Sequence, residues 1–219
     1  MSRSAERRAY RSDLRQAQAR STRKAIVDAA TRLFTTKGYG VTSIDDIARE
    51  AGVSRATVFA GFRDKATLLK TAYDWALVGD DEPRALRDRE IAKAVLAERD
   101  PQRLVELFVR MAMDIGSRLP PMYEAVRGAA TADAAAQPIW EEVRRERSGG
   151  ARNLVGLLVE RGALRPDLTE EEATDIVFAL TDPGLYTVLV EERGWSPARM
   201  EKWYAATLKA QLLLANLAQ

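Results

Sequence analysis

The chain of 219 residues contains no cysteine and no histidine. Without cysteine it has no disulfides and no thiolate chemistry. Without histidine, the Ser-His-Asp and Cys-His catalytic arrangements and the usual zinc sites are excluded. A Gly-rich phosphate loop and carboxylates at metal-ligand spacing are also missing, so we expect no catalytic residues, no metal and no cofactor. Because no signal peptide and no run of 18 apolar residues is present, we expect a cytoplasmic protein with no membrane partner.

Positive charge is concentrated in the first third of the chain. Residues 1–70 carry 15 Lys and Arg against 7 Asp and Glu, a net charge of +8. The remaining 149 residues carry 19 basic and 25 acidic side chains, a net charge of −6. A basic segment joined to an acidic remainder indicates that the N-terminal part contacts phosphates, although a solvated surface would give the same pattern.

The stretch SIDDIAREAGVSRATVFAGF, residues 43–62, has the pattern of a helix-turn-helix. Ser43 and Asp46 form a capping-box pattern, and apolar residues follow at helical spacing. Gly52 stands where a positive φ would end the first helix, and Ser54 is a second N-cap. Such a unit places its second helix in the DNA major groove, whereas the alternative is a helical hairpin in an ordinary core. The polar, short side chains on the outer face of the second helix favour DNA binding.

Helical periodicity continues through the rest of the sequence, so we predict an all-α protein with an N-terminal three-helix DNA-binding unit. Residues 1–20 form an Arg-rich segment, either a mobile arm or an extension of the next helix, which runs from Ser21 or Thr22 to Lys37. The DNA-binding domain is predicted over 21–78, and an acidic break at Gly79–Pro83 opens the second domain, 79–219. Beyond the break, proline and glycine positions predict helices over 84–98, 101–117, 121–132, 135–161, 169–193 and 196–216.

The last two predicted helices carry wider apolar stripes than a monomer needs. On the final helix these residues are Met200, Trp203, Thr207, Ala210, Leu214 and Leu217, widened by Tyr204 and Leu208. On the preceding helix they are Ile176, Val177, Leu180, Val188 and Leu189. The pattern predicts a homodimer joined through a four-helix bundle, with an ordinary intrachain core as the alternative.

Two runs, AIVDAATRLFTTKGYGVTSIDDIAREAGVS and RATVFAGFRDKATLL, resemble the TetR family of bacterial transcriptional regulators over about residues 23–70. Residues 161–213 are also similar to the dimerising helices of many such regulators. The resemblance implies a helical ligand-binding and dimerisation domain, and a repressor that leaves a palindromic double-stranded operator when an unidentified small molecule binds. The regulator could equally be an activator, because the sign of regulation depends on where the operator lies. The alternative is an architectural or interaction protein that binds DNA without ligand control.

The resemblance assigns DNA contacts to both ends of the helix-turn-helix. The implied positions are Thr42, Ser43, Arg55, Ala56, Thr57, Phe59, Ala60 and Lys65. Arg55 is suited to reading a guanine edge, and Thr57 or Ala56 to contacting a thymine methyl, while Thr42, Ser43 and Lys65 match phosphate-contacting positions. The family usually has Tyr where this chain has Phe59, and often His where it has Gly61, which puts phosphate contacts at both positions in question. We hypothesise that the Arg-rich segment compensates.

The resemblance also implies a small-molecule pocket among the helices beyond residue 83. Its occupancy would favour a conformation in which the two DNA-reading units no longer match the half-site spacing. The candidate lining residues, each with plain core or surface as the alternative, are Phe108, Met111, Ile115, Met122, Tyr123, Trp140, Phe178, Asp182 and Tyr186. Pro183 is expected to kink its helix and to release the carbonyl of Ala179. Asp182 beside the kink either orients a ligand or faces solvent.

Overall fold

A computed structural model describes the backbone of residues 3–214 and the side chains from Leu14 onward. This part of the chain is helical, and its one β-pairing is an isolated antiparallel bridge between Leu164 and Leu213. The all-α prediction is therefore confirmed. The α-helices are α1 Arg3–Thr36, α2 Ile44–Glu50, α3 Arg55–Gly61, α4 Lys65–Val78, α5 Glu90–Ala97, α6 Pro101–Gly116, α7 Pro120–Ala132, α8 Gln137–Glu160, α9 Glu170–Leu180, α10 Pro183–Tyr186 and α11 Pro197–Leu212.

The first helix begins earlier than the sequence pattern predicts. Residues 3–20 are helical and continuous with the core-facing part of α1, so the structure has the helical extension rather than a separate arm. The side chains before Leu14, including the first arginines, lie outside the described residues. Arg20 donates to both carboxylate oxygens of Asp81, at 2.8 and 2.7 Å, and so connects α1 to the acidic segment after α4.

The helix predicted over 169–193 is broken. Thr181 ends α9, and Asp182 adopts an extended conformation and caps α10, in which Pro183 is the first residue. Pro183 therefore starts a helix, which suits its fixed φ, instead of kinking one. The carbonyl of Ala179, expected to be released, accepts the amide N–H of Asp182 at 3.3 Å. After α10 the chain continues in a π-helical turn, Thr187–Glu192.

Two other predicted helices are shorter than their patterns suggest. The segment 84–98 is a 3₁₀ turn at Leu86–Asp88 followed by α5, because Arg89 between them is extended. The last helix ends at Leu212, where the chain turns to pair with the loop after α8: the Leu214 amide donates to the Ala163 carbonyl at 3.1 Å. Leu217, part of the predicted dimer seam, lies outside the described residues.

Two apolar clusters make up the core, and α8 contributes to both. The first joins α1–α4 to α7 and the beginning of α8, with Phe34, Tyr73 and Val143 buried inside it. The second joins α5, α6, α9 and α11 to the end of α8, around Leu104 and Leu208. The segments before and after the boundary predicted near residue 79 therefore share an apolar cluster, since the DNA-binding unit packs directly on α7.

No single helix among residues 3–214 is long and apolar enough to cross a membrane. Two neighbouring segments, Glu170–Leu180 and Pro183–Glu192, reach that length and hydropathy only when they are counted together. The angle between them is 47°.

Candidate functional site

Both predicted caps of the helix-turn-helix are present. The Ser43 hydroxyl accepts the Asp46 amide N–H at 3.1 Å, and the Asp46 carboxylate accepts the Ser43 amide N–H at 3.1 Å. The hydrogen bonds that the Ser43 hydroxyl and amide donate to its carboxylate lower the pKa of Asp46. Gly52 has a φ of +67°, and Ser54 caps α3 by accepting the Thr57 amide N–H at 3.0 Å. The local sequence therefore fixes the angle at which α3 leaves α2.

Replacing Ser43 by alanine is expected to lower the free energy of unfolding by about 1 kcal/mol, because the first turn of α2 loses a hydrogen-bond acceptor. Urea denaturation at pH 7 measures the change. Ser21→Ala, at an exposed position inside α1, is the control and should change stability by less than about 0.5 kcal/mol.

The effect of Ser43→Ala should also depend on pH. The pKa of Asp46 is lowered in the folded protein, so the contribution of the capping box is present above the ordinary carboxyl pKa and is lost as the pH falls below it. An effect of Ser43→Ala that stays the same down to acidic pH would contradict a role for the ionised carboxylate.

The recognition helix α3 exposes most of the residues assigned to DNA. Arg55, Ala56 and Ala60 are exposed, Phe59 is 43% exposed, and Thr57 is half-buried. Buried Val58 anchors the opposite face of the helix. The Arg55 guanidinium lies 2.7 Å from the Asp45 carboxylate and 5.4 Å from the centre of the Phe59 ring. Arg55 is therefore held at the outer surface of α3, where it can exchange Asp45 for a base edge.

Two positions assigned to phosphate contacts are used inside the protein instead. Thr42 is 2% exposed, and its hydroxyl donates to the Gly38 carbonyl at 2.8 Å. The Lys65 ammonium donates to the carbonyls of Tyr39 and Thr42 at 3.0 and 3.1 Å and lies 4.0 Å from the Tyr39 ring centre. Burial lowers the pKa of Lys65. A phosphate contact by these two side chains does not fit this conformation, because both hold the loop that leads into α2.

The Ser43 side chain is also engaged within the protein. Its hydroxyl donates to the Asp46 carboxylate at 2.6 Å, so the side chain is occupied by the capping box. Only the backbone N–H groups at the start of α2 remain for an anion, and Asp45 and Asp46 already supply negative charge there.

A cavity of about 1240 Å³ lies between α4, α6, α8 and the α9–α10 break, with the segment after α4 on its rim. Five of the candidate ligand residues line it: Phe108, Met111, Ile115, Asp182 and Tyr186. Gly149 and Gly150 of α8 also line it, and a Cβ added at either would meet no heavy atom within 4 Å. The two missing side chains therefore leave open space, and the cavity has room for a drug-sized molecule.

The remaining four candidates do not line the cavity. Met122 and Tyr123 are buried because the inward face of α7 packs into the first cluster. Trp140 packs on the Tyr123 ring, with the ring centres 5.3 Å apart. The Phe178 ring lies under the guanidinium of Arg147, 4.3 Å away. These residues support the wall from behind, which corrects the sequence-based assignment.

Arg147 connects three parts of the cavity wall and was not among the candidates. Its guanidinium donates to the Tyr123 hydroxyl at 2.8 Å and to the Phe178 carbonyl at 3.0 Å, and lies 3.3 Å from the Asp182 carboxylate. The Tyr123 hydroxyl in turn donates to Asp182 at 3.3 Å. Asp182 thus lies at the wall with a cation as its partner. Residues 144–150 of α8 are charged, polar or glycine. The sequence pattern therefore gives no sign that the Arg147 side chain points inward.

A second charged group on the wall surrounds Lys70. Its ammonium lies 2.7 Å from Asp74, 3.3 Å from Glu142 and 3.5 Å from Glu146. Burial raises the pKa of both Asp74 and Glu146. Tyr73 lines the cavity beside this group. The sequence pattern identifies Tyr73 only as part of an apolar helix face, and it gives no signal for the ion pairs between α4 and α8.

Comparison with known proteins gives the same assignment for the N-terminal part. The family model described as "Bacterial regulatory proteins, tetR family" matches residues 26–72. The HTH-type transcriptional regulator AcrR of Shigella flexneri is 39% identical over 57 residues, which is 26% of this chain and 26% of that relative. This match therefore spans about a quarter of the relative's length.

Two solved structures share the fold over most of the chain. NalD of Pseudomonas aeruginosa, described as the secondary repressor of a multidrug efflux pump, has a TM-score of 0.70 at 22% identity and covers 90% of this chain and 98% of its own. The regulator FadR of Bacillus subtilis, solved with stearoyl-CoA, has a TM-score of 0.68 at 13% identity, covering 86% and 98%. The names are those of transcription regulators, in agreement with the prediction of a regulator rather than an enzyme.

Proposed function

Because this chain belongs to the TetR family of bacterial regulatory proteins through its helix-turn-helix domain, residues 26–72, we propose that it is a ligand-responsive transcriptional repressor. It acts in the cytoplasm as a homodimer on a palindromic operator and is released when a small molecule enters the cavity beside α4. The observation that carries the proposal is the direct packing of the DNA-reading unit against the walls of that cavity.

The outer face of α3 supports sequence-specific DNA binding. Apart from Phe59, its exposed side chains are small or carry a guanidinium, and α3 is oriented by a capped helix on each side. Short side chains let the helix enter the major groove, and an arginine at its start suits bidentate contact with a guanine. Arg23 of α1 fixes the other end of α3 by donating to the Gly61 carbonyl at 3.1 Å.

The last two helical segments support the dimer. On α11 the stripe Met200, Tyr204 and Leu208 is buried within the chain, so part of the predicted seam is ordinary core. Trp203 and Thr207 beside it remain half-buried, and Ala210 is exposed. On the π-helical turn, Val188 is 44% exposed. This remaining surface is where we place the partner protomer, in a four-helix bundle.

The contacts of α4 provide a route from the cavity to the recognition helix. Arg118, which follows α6, donates to the carbonyls of Ala76 and Leu77 at 2.9 and 2.8 Å and so holds the C-terminal end of α4. At the other end, only residues 62–64 separate α4 from α3. A ligand that displaces α6 or α8 therefore changes the direction of α4, and binding favours the conformation that it fits better. The bound acyl-CoA in FadR supports a pocket of this kind.

The first test is selection of bound duplexes from a randomised DNA pool at two salt concentrations. An enriched palindrome with half-sites about one helical turn apart is the expected result. Binding with no enriched sequence that falls steeply with salt would instead favour the architectural alternative. The selected duplex then serves as the probe for ligand release.

Deletion of residues 1–19 is expected to weaken operator binding and to flatten its dependence on salt. The deleted segment carries five arginines, and each phosphate contact adds roughly 0.9 to the slope of log K against log salt. Fluorescence anisotropy across a salt series measures both quantities. A variant with residues 1–19 in scrambled order keeps the charge and is the control; unchanged affinity in the deletion would show that the segment does not contact DNA.

A further inference from the structure

The arginines around the cavity are already engaged. Arg147 has the Asp182 carboxylate, the Tyr123 hydroxyl and the Phe178 carbonyl as partners. On the rim the corresponding pairs are Arg20 with Asp81, Arg23 with the Gly61 carbonyl, Arg84 with Glu82 and Arg87 with Asp88. An anionic ligand at Arg147 would have to displace Asp182 from a largely buried guanidinium, whereas the rim pairs are exposed and contribute little on their own.

The carboxylates on the opposite wall are in excess. Asp74, Glu142 and Glu146 surround the single ammonium of Lys70, at 2.7, 3.3 and 3.5 Å, so the group carries two uncompensated negative charges when ionised. Asp74 and Glu146 line the cavity and are about half-exposed, which leaves their oxygens accessible from inside it. A positive charge placed beside the group is attracted by the three carboxylates and repelled by Lys70, so the net interaction is attractive when the carboxylates are ionised.

Tyr73 adds a polar group that has no partner within the described part of the chain. The residue is 1% exposed and lines the cavity, yet its hydroxyl makes no hydrogen bond to any described residue. The Tyr73 hydroxyl is not a buried unsatisfied atom, so it is open to the cavity, where a ligand N–H can donate to its oxygen. The face of the ring also attracts cations.

We propose that the cavity binds a lipophilic cation, an aromatic or aliphatic body bearing one ammonium or other onium group. The positive charge lies on the cavity side of Asp74 and Glu146, with an ammonium N–H directed to Tyr73. The body packs against the apolar wall formed by Phe108, Met111, Leu119 and Tyr186. This inference rests on the proposed function, since it names the class of the effector, but the binding itself is measured without DNA.

Tetraphenylphosphonium and tetraphenylborate test the sign of the charge, because the two ions have nearly the same shape. Titrating the full-length protein, followed by its tryptophan fluorescence, to which Trp75 on the cavity wall contributes, should show the phosphonium binding at least about tenfold more tightly. Asp74→Asn and Glu146→Gln should each weaken it by roughly three- to tenfold. Glu141→Gln, an exposed position on the same helix and away from the cavity, should leave it unchanged. Equal binding of the two ions, preference for the borate, or an equal loss in Glu141→Gln overturns the proposal.

A naphthalene pair tests Tyr73. Tyr73→Phe should weaken binding of 1-naphthylmethylammonium by several-fold and leave its N,N,N-trimethyl derivative unchanged, since only the first has an N–H to donate. An equal loss with both would show that Tyr73 only supports the wall, and would overturn its assignment as the hydrogen-bond acceptor.

Release of the selected operator separates the two proposals. If the phosphonium binds as expected and the DNA complex stays intact, the cation site stands and the proposed ligand response fails. If the borate, and not the phosphonium, releases the operator, the ligand response stands and the cation site is overturned.

Discussion

Replacing Arg55 by alanine is expected to weaken binding to the selected operator by roughly 1–3 kcal/mol per half-site. This is about 5- to 150-fold for each half-site, so the Kd of a dimer on both half-sites should rise by at least about 30-fold. The guanidinium stands at the exposed start of α3 and is the only cationic group on that helix. Its loss removes the one side chain there that can make two hydrogen bonds to a guanine. Anisotropy measurements at fixed salt, on the selected duplex and on a scrambled duplex, separate lost specificity from lost charge.

Arg63→Ala is the matched control for this prediction. Arg63 lies in the loop after α3 and is 87% exposed, so its removal should weaken binding to both duplexes by the same small factor. If Arg55→Ala also reduces binding to both duplexes equally, Arg55 contacts phosphates only and the base-reading role is wrong.

A related prediction concerns Asp45, the partner of Arg55 in the unbound protein. Asp45 and Arg55 are each 59% exposed, and exposed ion pairs contribute little to stability. Asp45→Asn should therefore leave folding almost unchanged while it removes a negative charge that would face the DNA in the proposed complex. Tighter binding to both duplexes is the expected outcome, and weaker binding to the selected duplex alone would mean that Asp45 orients Arg55 for base contact.

The parts of the structure that the sequence predicts well are those determined by neighbouring residues. The capping box of Ser43 and Asp46, the turn at Gly52 and the cap at Ser54 involve atoms at most a few residues apart, and all are found as expected. The break at Asp182 is also a local signal, but the proline alone predicts only a kink, whereas in the structure Asp182 caps a new helix.

The cavity was harder to predict, because its walls depend on how helices far apart in sequence are rotated against each other. Helical spacing groups Phe108 with Met111 but does not say which of them faces a cavity and which faces core. Met122 illustrates this, since the inward face of α7 packs on the DNA-binding unit. Lys65 is a similar case, because its carbonyl partners lie 26 and 23 residues away.

Loss of the Arg147 side chain should clearly reduce stability. This side chain is 11% exposed and connects α7, α8 and the α9–α10 break, while its partner Asp182 is 44% exposed. Removing one member of a buried ion pair costs about 3–5 kcal/mol. Since Asp182 is partly solvated, we expect about 2–3 kcal/mol for Arg147→Met, a fall in Tm of roughly 4–12 °C. Thermal unfolding followed by circular dichroism measures the change, and Arg145→Met, at an exposed position of α8, should have almost no effect.

The double variant Arg147→Met/Asp182→Asn shows whether the ion pair is the cause. If the cost of Arg147→Met arises from the carboxylate left without its cation, neutralising Asp182 should restore part of the lost stability. The effects of the two substitutions would then sum to more than the effect of the double variant. Strict additivity would instead assign the loss to the packing of the arginine stem on Phe178 and to its hydrogen bond with the Phe178 carbonyl. In that case the α9–α10 break is held by packing, and the charge of Asp182 remains available to a ligand.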